Sequence, residues 1–216
     1  MRGRRSRYAD RAEAGALLAR ELGPVTRGSD CVVLALPRGG VPVAAPIASA
    51  LVAPLGVVVV RKVGVPGHRE LAMGALAQVG EQVELIRNEP VIRSTGVGAE
   101  EFERAAEHER DELQRRSVRF AQAWAPVASR AVILVDDGLA TGSTMLAAVR
   151  ALRRAAPAKI VVAVPVGAAP AVALLETVAD QVVCPWLPQP FVAVGQGYVD
   201  FDQVDEREVA RLLAIG

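Results

Sequence analysis

The sequence predicts an α/β protein with a doubly wound, mostly parallel sheet. Short apolar runs alternate with helical patterns, which is typical of parallel strands joined by covering helices. Hydrophobic residues make up 51% of the chain and aromatic residues only 4%, so the core must consist of Val, Leu, Ile and Ala. A length of 216 residues fits one such core. We therefore expect one domain over residues 1–216, with an insertion at 62–125 and a small hood at 184–201.

The elements of the sheet follow from the apolar runs. Buried strands are predicted at Cys31–Leu36, Val57–Arg61, Ala131–Asp136, Lys159–Val164 and Gln181–Cys184. Helices are predicted at Tyr8–Leu22 with Asp10 as its cap, from after Gly40 to about Ala53, at Ser143–Ala155 and at Asp205–Leu213. Because proline inside a helix costs about 3 kcal/mol, we expect the second helix to begin late enough to place Pro46 in its first turn.

The insertion contains a predicted hairpin and a long charged helix. Ala75–Gln78 and Val83–Ile86 flank a turn. In Glu100–Trp124 one stripe is formed by Phe102, Ala106, Leu113, Ser117, Phe120 and Trp124. Acid-first pairs four residues apart are Glu100/Arg104, Asp111/Arg115 and Glu112/Arg116. This pattern favours a solvent-facing helix without a ligand role.

Charge, cysteines and hydropathy exclude several classes of function. The net charge of +1 provides no overall field for nucleic acid. Arginines cluster only at the start of the chain, at Arg2, Arg4, Arg5, Arg7 and Arg11, where a solvated arm is expected. Cys31 and Cys184 lack metal-ligand spacing, so we expect reduced thiols in a cytoplasmic protein. The sequence predicts neither a membrane span nor a secretory signal.

The segment Val132–Thr144, VILVDDGLATGST, carries the clearest chemical signal. A buried strand ends in two carboxylates, and a small-residue loop with hydroxyl side chains then opens a helix. Unpaired backbone N–H groups at that helix end form a natural phosphate seat, which Gly142 lets a ligand approach closely. A Walker A loop would need Lys where Ser143 stands, and the GxGxxG pattern of dinucleotide-binding folds is not present after Gly138.

This segment resembles the motif by which type I phosphoribosyltransferases bind 5-phosphoribosyl-1-pyrophosphate (PRPP). The resemblance implies that Asp136 and Asp137 bind the ribose 2′- and 3′-hydroxyls and stand near a Mg²⁺ ion that is held through PRPP or water. It also implies that the 5′-phosphate is held by Ala140, Thr141, Gly142, Ser143 and Thr144.

Two more segments resemble the same family. Leu36-Pro37-Arg38-Gly39-Gly40 is similar to the pyrophosphate loop, which in relatives often has a cis peptide, here between Pro37 and Arg38. Val60–Gly67 resembles the Arg-Lys segment that opens the mobile catalytic loop of adenine and orotate phosphoribosyltransferases. The resemblance implies pyrophosphate binding by Arg38, Gly39, Gly40, Arg61 and Lys62, with Arg38 and Lys62 catalytic. A loop at Pro66–Gly74 is expected to close over PRPP, carrying His68 and Glu70, whose roles stay open.

The hood loosely resembles that of hypoxanthine-guanine phosphoribosyltransferases. Candidate acceptor contacts are Trp186, Phe191, Val192, Tyr198 and Asp200, with Phe201 as a further aromatic residue. Ordinary packing of these aromatic side chains is an equal alternative. That family places a lysine near the strand end to hold a 6-oxo purine, and Lys159–Gly167 offers no counterpart at that place. We therefore expect guanine and hypoxanthine to be poor acceptors.

Two functions follow from the resemblance. The first is Mg²⁺-dependent transfer of a phosphoribosyl group from PRPP to a nitrogenous base or related acceptor, as in nucleotide salvage, with release of pyrophosphate. The second is a non-catalytic PRPP sensor that binds nucleic acid through the Arg2–Arg11 arm. Arg38, Lys62 and a glycine-bounded loop favour the enzyme. We expect PRPP and a small acceptor as partners, no nucleic acid and no membrane; a homo-oligomer is left open.

Overall fold

A five-stranded parallel sheet forms the centre of the computed structural model, which describes residues 7–26, 30–79, 82–117 and 126–214. Its strands are β1 (Cys31–Ala35), β2 (Leu55–Val57), β6 (Ala131–Val135), β7 (Lys159–Ala163) and β8 (Gln181–Val183), in the order β2-β1-β6-β7-β8. A second, antiparallel sheet joins β3 (Val59–Val65), β4 (His68–Val79) and β5 (Gln82–Arg87). The helices are α1 (Arg11–Thr26), α2 (Gly40–Leu51), α3 (Glu89–Thr95), α4 (Ala99–Ser117), α5 (Ser143–Arg154), α6 (Ala169–Glu176) and α7 (Glu206–Leu213).

Both faces of the central sheet are covered. Alternate residues of a strand point to opposite faces, so Val33 and Ile133 pack with α1 and α2, whereas Leu34 and Leu134 pack with α5 and α6. Every residue of β1 and β6 is buried. This arrangement confirms the predicted doubly wound α/β class and the predicted aliphatic core.

The predicted strand Val57–Arg61 is wrong as a single element, because the chain changes sheets within it. β2 ends at Val57, beside Ala35 of β1, and β3 begins at Val59 opposite Gln78 of β4. The Val58 amide still donates to the Ala35 carbonyl at 3.0 Å. A continuous apolar run cannot reveal such a change of partner, since both strands need buried side chains.

The insertion is built on the antiparallel sheet. The predicted hairpin is confirmed by the pairs Ala75↔Ile86 and Val79↔Gln82, although its turn at 80–81 lies outside the described residues. The predicted loop at Pro66–Gly74 is wrong, because β3 and β4 are joined at Pro66-Gly67 and Gly74 lies within β4. A Cβ added at Gly74 would lie 3.1 Å from the Phe102 ring, so this glycine allows close packing instead of acting as a loop end.

Helix α4 confirms three of the six residues of the predicted stripe, and the side chain of Ser117 is not among those described. Phe102, Ala106 and Leu113 are fully buried against the insertion sheet, while residues 118–125 lie outside the described part. Glu100 pairs with Arg104 at 3.8 Å as expected. Arg115 pairs with Glu112 instead of Asp111, which puts the bond three residues apart. The partner of Glu112 in the third predicted pair, Arg116, has no described side chain.

Helices α1 and α2 cross closely at Pro46. The first-turn position expected for Pro46 is wrong, because α2 begins at Gly40 and places Pro46 in its interior. A Cβ added at Gly15 of α1 would lie 2.2 Å from the Val43 carbonyl oxygen and 2.5 Å from the Pro46 ring. Close packing between the two helices therefore offsets the loss of the backbone hydrogen bond that a proline cannot donate.

The segment before α1 pairs with the hood. The Tyr8 amide donates to the Gly197 carbonyl at 2.9 Å, and the Val199 amide donates to the Tyr8 carbonyl at 2.8 Å. Asp10 accepts a hydrogen bond from the first turn of α1, which confirms it as the predicted cap, and Asp205 does the same for α7. Within the described ranges, no helix is both long and apolar enough to cross a bilayer.

Candidate active site

Two neighbouring strands end at the same edge of the sheet. β1 and β6 are parallel and in register, with Ala35 beside Val135, so the loops that follow them lie next to each other. The Leu36 amide donates to the Val135 carbonyl at 2.9 Å and joins the two loops. The segments that resemble the pyrophosphate loop and the PRPP motif thus form one site, although about 100 residues separate them in sequence.

The loop after β6 encloses a cavity of about 180 Å³ at the N-terminus of α5. All five residues expected to hold the 5′-phosphate line it, Ala140, Thr141, Gly142, Ser143 and Thr144. Gly142 precedes the helix with φ +74°, a conformation that favours glycine, and supplies no side-chain cap. The first amide groups of a helix have no partner within it, so this end can bind an anion.

The loop after β1 needs its glycines because it touches the acidic motif. A Cβ added at Gly39 would lie 2.2 Å from Asp137 Oδ2, and one added at Gly40 would lie 2.6 Å from the Val135 carbonyl oxygen. The peptide between Pro37 and Arg38 is cis, as the resemblance implied. Any larger residue at Gly39 or Gly40 would push the two loops apart.

The two acids occupy different positions. Asp136 lines the cavity, and its Oδ1 accepts from the Asp137 amide at 2.9 Å. Burial raises the pKa of Asp136 well above its usual range, and the neighbouring Asp137 charge raises it further. Burial also raises the pKa of Asp137, but the Arg11 guanidinium opposes that rise. Asp137 Oδ2 accepts from Arg11 Nε at 2.9 Å.

Arg11 contacts the acidic motif, and sequence reasoning missed this contact. The arginine-rich start suggested a solvated arm, yet Arg11 begins α1 and its side chain is only 12% exposed. Arg7 is exposed, while Arg2, Arg4 and Arg5 lie outside the described residues. No spacing rule connects Arg11 with Asp137, because they lie 126 residues apart. Only the meeting of α1 with the end of β6 could have revealed the pair.

Lys62 stands between two cavities. It is exposed on β3 and lines both the 180 Å³ cavity and a larger one of about 520 Å³ beneath α4. The larger cavity also contains His108 and Glu109, so α4 contributes to a cavity wall that the solvent-facing interpretation did not foresee. Arg61 is bound to Glu109 at 2.6 Å.

Arg38 lies half-buried in the loop after β1. Within the described part of the chain, neither Arg38 nor Lys62 has an ion-pair partner, which leaves both cations available to a phosphate. His68 is exposed near the β3–β4 turn, and the side chain of Glu70 lies outside the described part.

The inner residues of the hood form an aromatic cluster. Tyr198 is 2% exposed, stacks on Phe201 with ring centroids 4.9 Å apart, and donates from its hydroxyl to the Asp137 carbonyl at 2.6 Å. Burial raises the pKa of Tyr198, which keeps this hydroxyl protonated as a donor. Trp186 meets Tyr8 edge to face, with centroids 6.2 Å apart. These contacts anchor the hood to the end of β6.

The outer hood residues face solvent. Val192 is 80% exposed, Asp200 is exposed and Phe191 is half-buried. Val194 packs on Gly138, where an added Cβ would lie 2.5 Å from its side chain, and so brings the hood into the 180 Å³ cavity wall. The acceptor roles of Trp186, Phe191, Val192, Tyr198 and Asp200 stay predictions.

Several known proteins resemble this chain in sequence or in fold. Two provisionally named phosphoribosyl transferases, from two strains of Mycobacterium tuberculosis, are 44% identical over 208 residues, or 95% of this chain. The chain spans only 46% of their length. The crystal structure of TT1426 from Thermus thermophilus is 43% identical, with a TM-score of 0.85 over 96% of this chain and 98% of that one. The AQ2163 protein of Aquifex aeolicus shares the fold at 11% identity, with a TM-score of 0.50 over 82% of this chain and 74% of that one.

The family comparison covers the same loops. The sequence model of the phosphoribosyl transferase domain family matches residues 10–185. This range includes the pyrophosphate-like loop, the Arg-Lys segment and the acidic motif. The sheet order and the adjoining strand ends agree with this match. By sequence and by fold, the chain belongs to the phosphoribosyl transferase domain family.

Proposed function

We propose that the protein transfers the phosphoribosyl group of PRPP to a nitrogenous base or related acceptor and releases pyrophosphate. One observation carries the proposal. A single 180 Å³ cavity at the end of β6 joins a helix N-terminus, the carboxylate of Asp136 and the cation of Lys62. These groups match a 5′-phosphate, sugar hydroxyls and a pyrophosphate, which are the three recognisable parts of PRPP.

The donor sugar would be held from two sides. Backbone N–H groups at the start of α5 and the hydroxyls of Thr141 and Ser143 bind the 5′-phosphate. Asp136 accepts hydrogen bonds from the ribose hydroxyls, with Asp137 behind it. Two fixed ends place the C1 carbon at one position, which favours reaction by orientation.

The cations would act on the leaving group. The bond from C1 to the pyrophosphate oxygen breaks with its electron pair on that oxygen, while the acceptor nitrogen forms the new bond to C1 and loses a proton. Negative charge therefore grows on the pyrophosphate as the reaction proceeds. Arg38 lies in the loop after β1 and Lys62 lines the cavity, and both would stabilise that charge.

A magnesium ion fits this donor set. Among the described residues, no group of three or more His, Cys, Asp and Glu side chains could hold a metal. Mg²⁺ usually keeps several waters and binds through one or two carboxylates and substrate phosphates, so Asp136 and Asp137 suffice. Both acids have a raised pKa, and a nearby cation would favour their charged forms. When bound, the ion would neutralise the pyrophosphate.

The setting of the reaction is part of the proposal. Cys31 and Cys184 are free thiols, which agrees with the cytoplasm as the location. Nucleotide salvage is the proposed role, with guanine and hypoxanthine as poor acceptors.

The alternative is a PRPP sensor that binds nucleic acid through the arginine-rich arm. Arg11 is not available for that contact, because its side chain is bound to Asp137.

Pyrophosphate release from PRPP and Mg²⁺ across a panel of bases and amines tests the proposal. We expect release with at least one acceptor, and release that is about ten- to a hundredfold slower in the Lys62→Ala variant. Arg150→Ala, which removes an exposed cation from α5, serves as the matched control and should behave as wild type. Tight PRPP binding without release for any acceptor, together with salt-sensitive binding to nucleic acid, would support the sensor instead.

A further inference from the structure

We infer that Arg11 is a positioning residue of the PRPP site, which holds the Asp137 carboxylate in place behind the sugar-facing Asp136. The inference rests on the proposed function, since it concerns the ribose end of the same site. It adds a residue from outside the three family-like segments. It also gives the two acids separate tasks.

Three contacts fix the Arg11 guanidinium. Its Nε donates to Asp137 Oδ2 at 2.9 Å, and its Nη1 donates to the Asp202 carbonyl at 2.9 Å. Its central carbon lies 3.9 Å from the centroid of the Phe201 ring, a cation–π geometry. A planar guanidinium that is stacked on a ring and bonded at two edges has little freedom to move. Arg11 therefore acts as a fixed support.

Asp137 is also held from its other sides. Tyr198 donates to its backbone carbonyl, and Gly39 lies so close that an added Cβ would meet Oδ2 at 2.2 Å. Among the described residues that line the 180 Å³ cavity, Asp136 is present and Asp137 is not. The carboxylate of Asp137 thus connects α1, the hood and the pyrophosphate-like loop, while Asp136 is left to meet the sugar.

The charge of Arg11 matters as much as its position. PRPP is a polyanion, and two adjacent carboxylates repel both each other and the ligand. Within the described part of the chain, Arg11 is the cation bonded directly to this pair. Without it, Asp137 would be a half-buried charge lacking a partner, which is strongly unfavourable. The carboxylate would then turn away, and the ribose end would lose its geometry.

The test compares Arg11→Met, Arg11→Lys and Arg20→Met by calorimetry with PRPP and Mg²⁺. Arg20 is exposed on the same helix and serves as the matched control. We expect Arg11→Met to weaken PRPP binding by about tenfold or more, the loss typical of one charged partner. Arg11→Lys should recover part of the affinity, because it keeps the charge but not the planar fork. Arg20→Met should bind as wild type.

Steady-state kinetics separate positioning from a structural role. Since Arg11 is inferred to act through Asp137 at the ribose end, Arg11→Met should raise the KM for PRPP while kcat changes by less than about threefold. In an Asp137→Asn background, the same change should alter PRPP affinity by less than about twofold, because the partner charge is already gone. A full tenfold loss in that background would show that Arg11 acts independently of Asp137 and would overturn the inference.

The remaining outcomes are distinct. If wild type binds PRPP and Arg11→Met binds equally well, the role of Arg11 is overturned and the proposed function stands. If wild type does not bind PRPP, both fail. If Arg11→Met does not fold, Phe201→Leu loosens the guanidinium without removing it. We expect about threefold weaker PRPP binding from the lost cation–π contact, and unchanged binding would contradict the inference.

Discussion

The two regions that we propose as the donor half and the acceptor half of the site are built in different ways. The donor half stands on the ends of β1 and β6, whose residues are all buried, and two glycines bring its loops together. The proposed acceptor half, the hood at 184–201, contains only the short 3₁₀ helix Val194–Gly197 as a regular element and exposes 80% of Val192. The family match ends at residue 185, at the start of the hood. Backbone geometry therefore defines the donor half, whereas single side chains define the acceptor half.

Removing both acids should have the largest effect, and it should weaken PRPP binding without changing the acceptor half. We expect the double change Asp136→Asn and Asp137→Asn to weaken PRPP binding by at least about tenfold, because it removes the charged acceptor at Asp136, worth about 1.5–3 kcal/mol, together with the carboxylate that Arg11 holds at Asp137. The fold should remain, because the acids follow the buried strand. Calorimetry measures the affinity and circular dichroism the fold. Unchanged affinity would remove the ribose assignment.

The cations should separate catalysis from binding within the donor half. Arg38→Ala and Lys62→Ala are each expected to lower kcat by about ten- to a hundredfold, because the pyrophosphate gains charge only as its bond breaks. Affinity for PRPP should fall less. Pyrophosphate release and calorimetry give the two quantities. Loss of affinity at constant kcat would make these residues ground-state clamps instead.

A single methyl group should test the meeting of the two donor loops. Gly39→Ala places a Cβ 2.2 Å from Asp137 Oδ2 and should weaken PRPP binding about five- to tenfold by displacing that carboxylate. Gly98→Ala is the matched control, since nothing lies within 4 Å of an added Cβ there. Equal PRPP affinity in the two variants would show that the loops can separate without cost.

The acceptor half should respond to substitution without affecting the donor half. Phe191→Ala is expected to raise the acceptor KM about threefold, typical of losing one partly buried aromatic contact, while PRPP affinity stays at the wild-type value. Guanine and hypoxanthine should be poor acceptors. Steady-state kinetics with the acceptor found by the panel measures the change. Efficient turnover of guanine, or a Phe191→Ala enzyme identical to wild type, would show that the hood contacts are misassigned.

The smallest expected effect is on stability. It tests how much the buried carboxylate of Asp136 destabilises the folded protein. The pKa of Asp136 is higher in the folded state than in the unfolded state. The folded state then binds more protons, so this group lowers stability as pH rises through its unfolded pKa of about 3.9. Asp136→Asn should raise Tm at neutral pH, and the gain should disappear below about pH 4. A lower Tm at neutral pH would contradict the direction of this pKa shift.

The loop after β6 was predictable from sequence because its parts are contiguous. Strand, acids, loop and helix follow one another within Val132–Thr144, and short-range rules apply to each. Arg11 and the change of sheet at Val58 depend on which distant segments meet, and periodicity carries no such information. The helix α6 escaped prediction because its short apolar run has no polar stripe to reveal a helical period.

Calorimetric titration of the wild-type protein with PRPP and Mg²⁺ tests the central claim, that the joined ends of β1 and β6 form a PRPP site. We expect saturable binding of PRPP at one site per chain. Ribose 5-phosphate and pyrophosphate should each compete with PRPP, because each of them occupies one part of the PRPP site. The double Asn variant at 136 and 137 should bind far more weakly than wild type. Absence of PRPP binding by the wild-type protein, or equal binding by the double Asn variant, would show that the joined ends of β1 and β6 do not form a PRPP site.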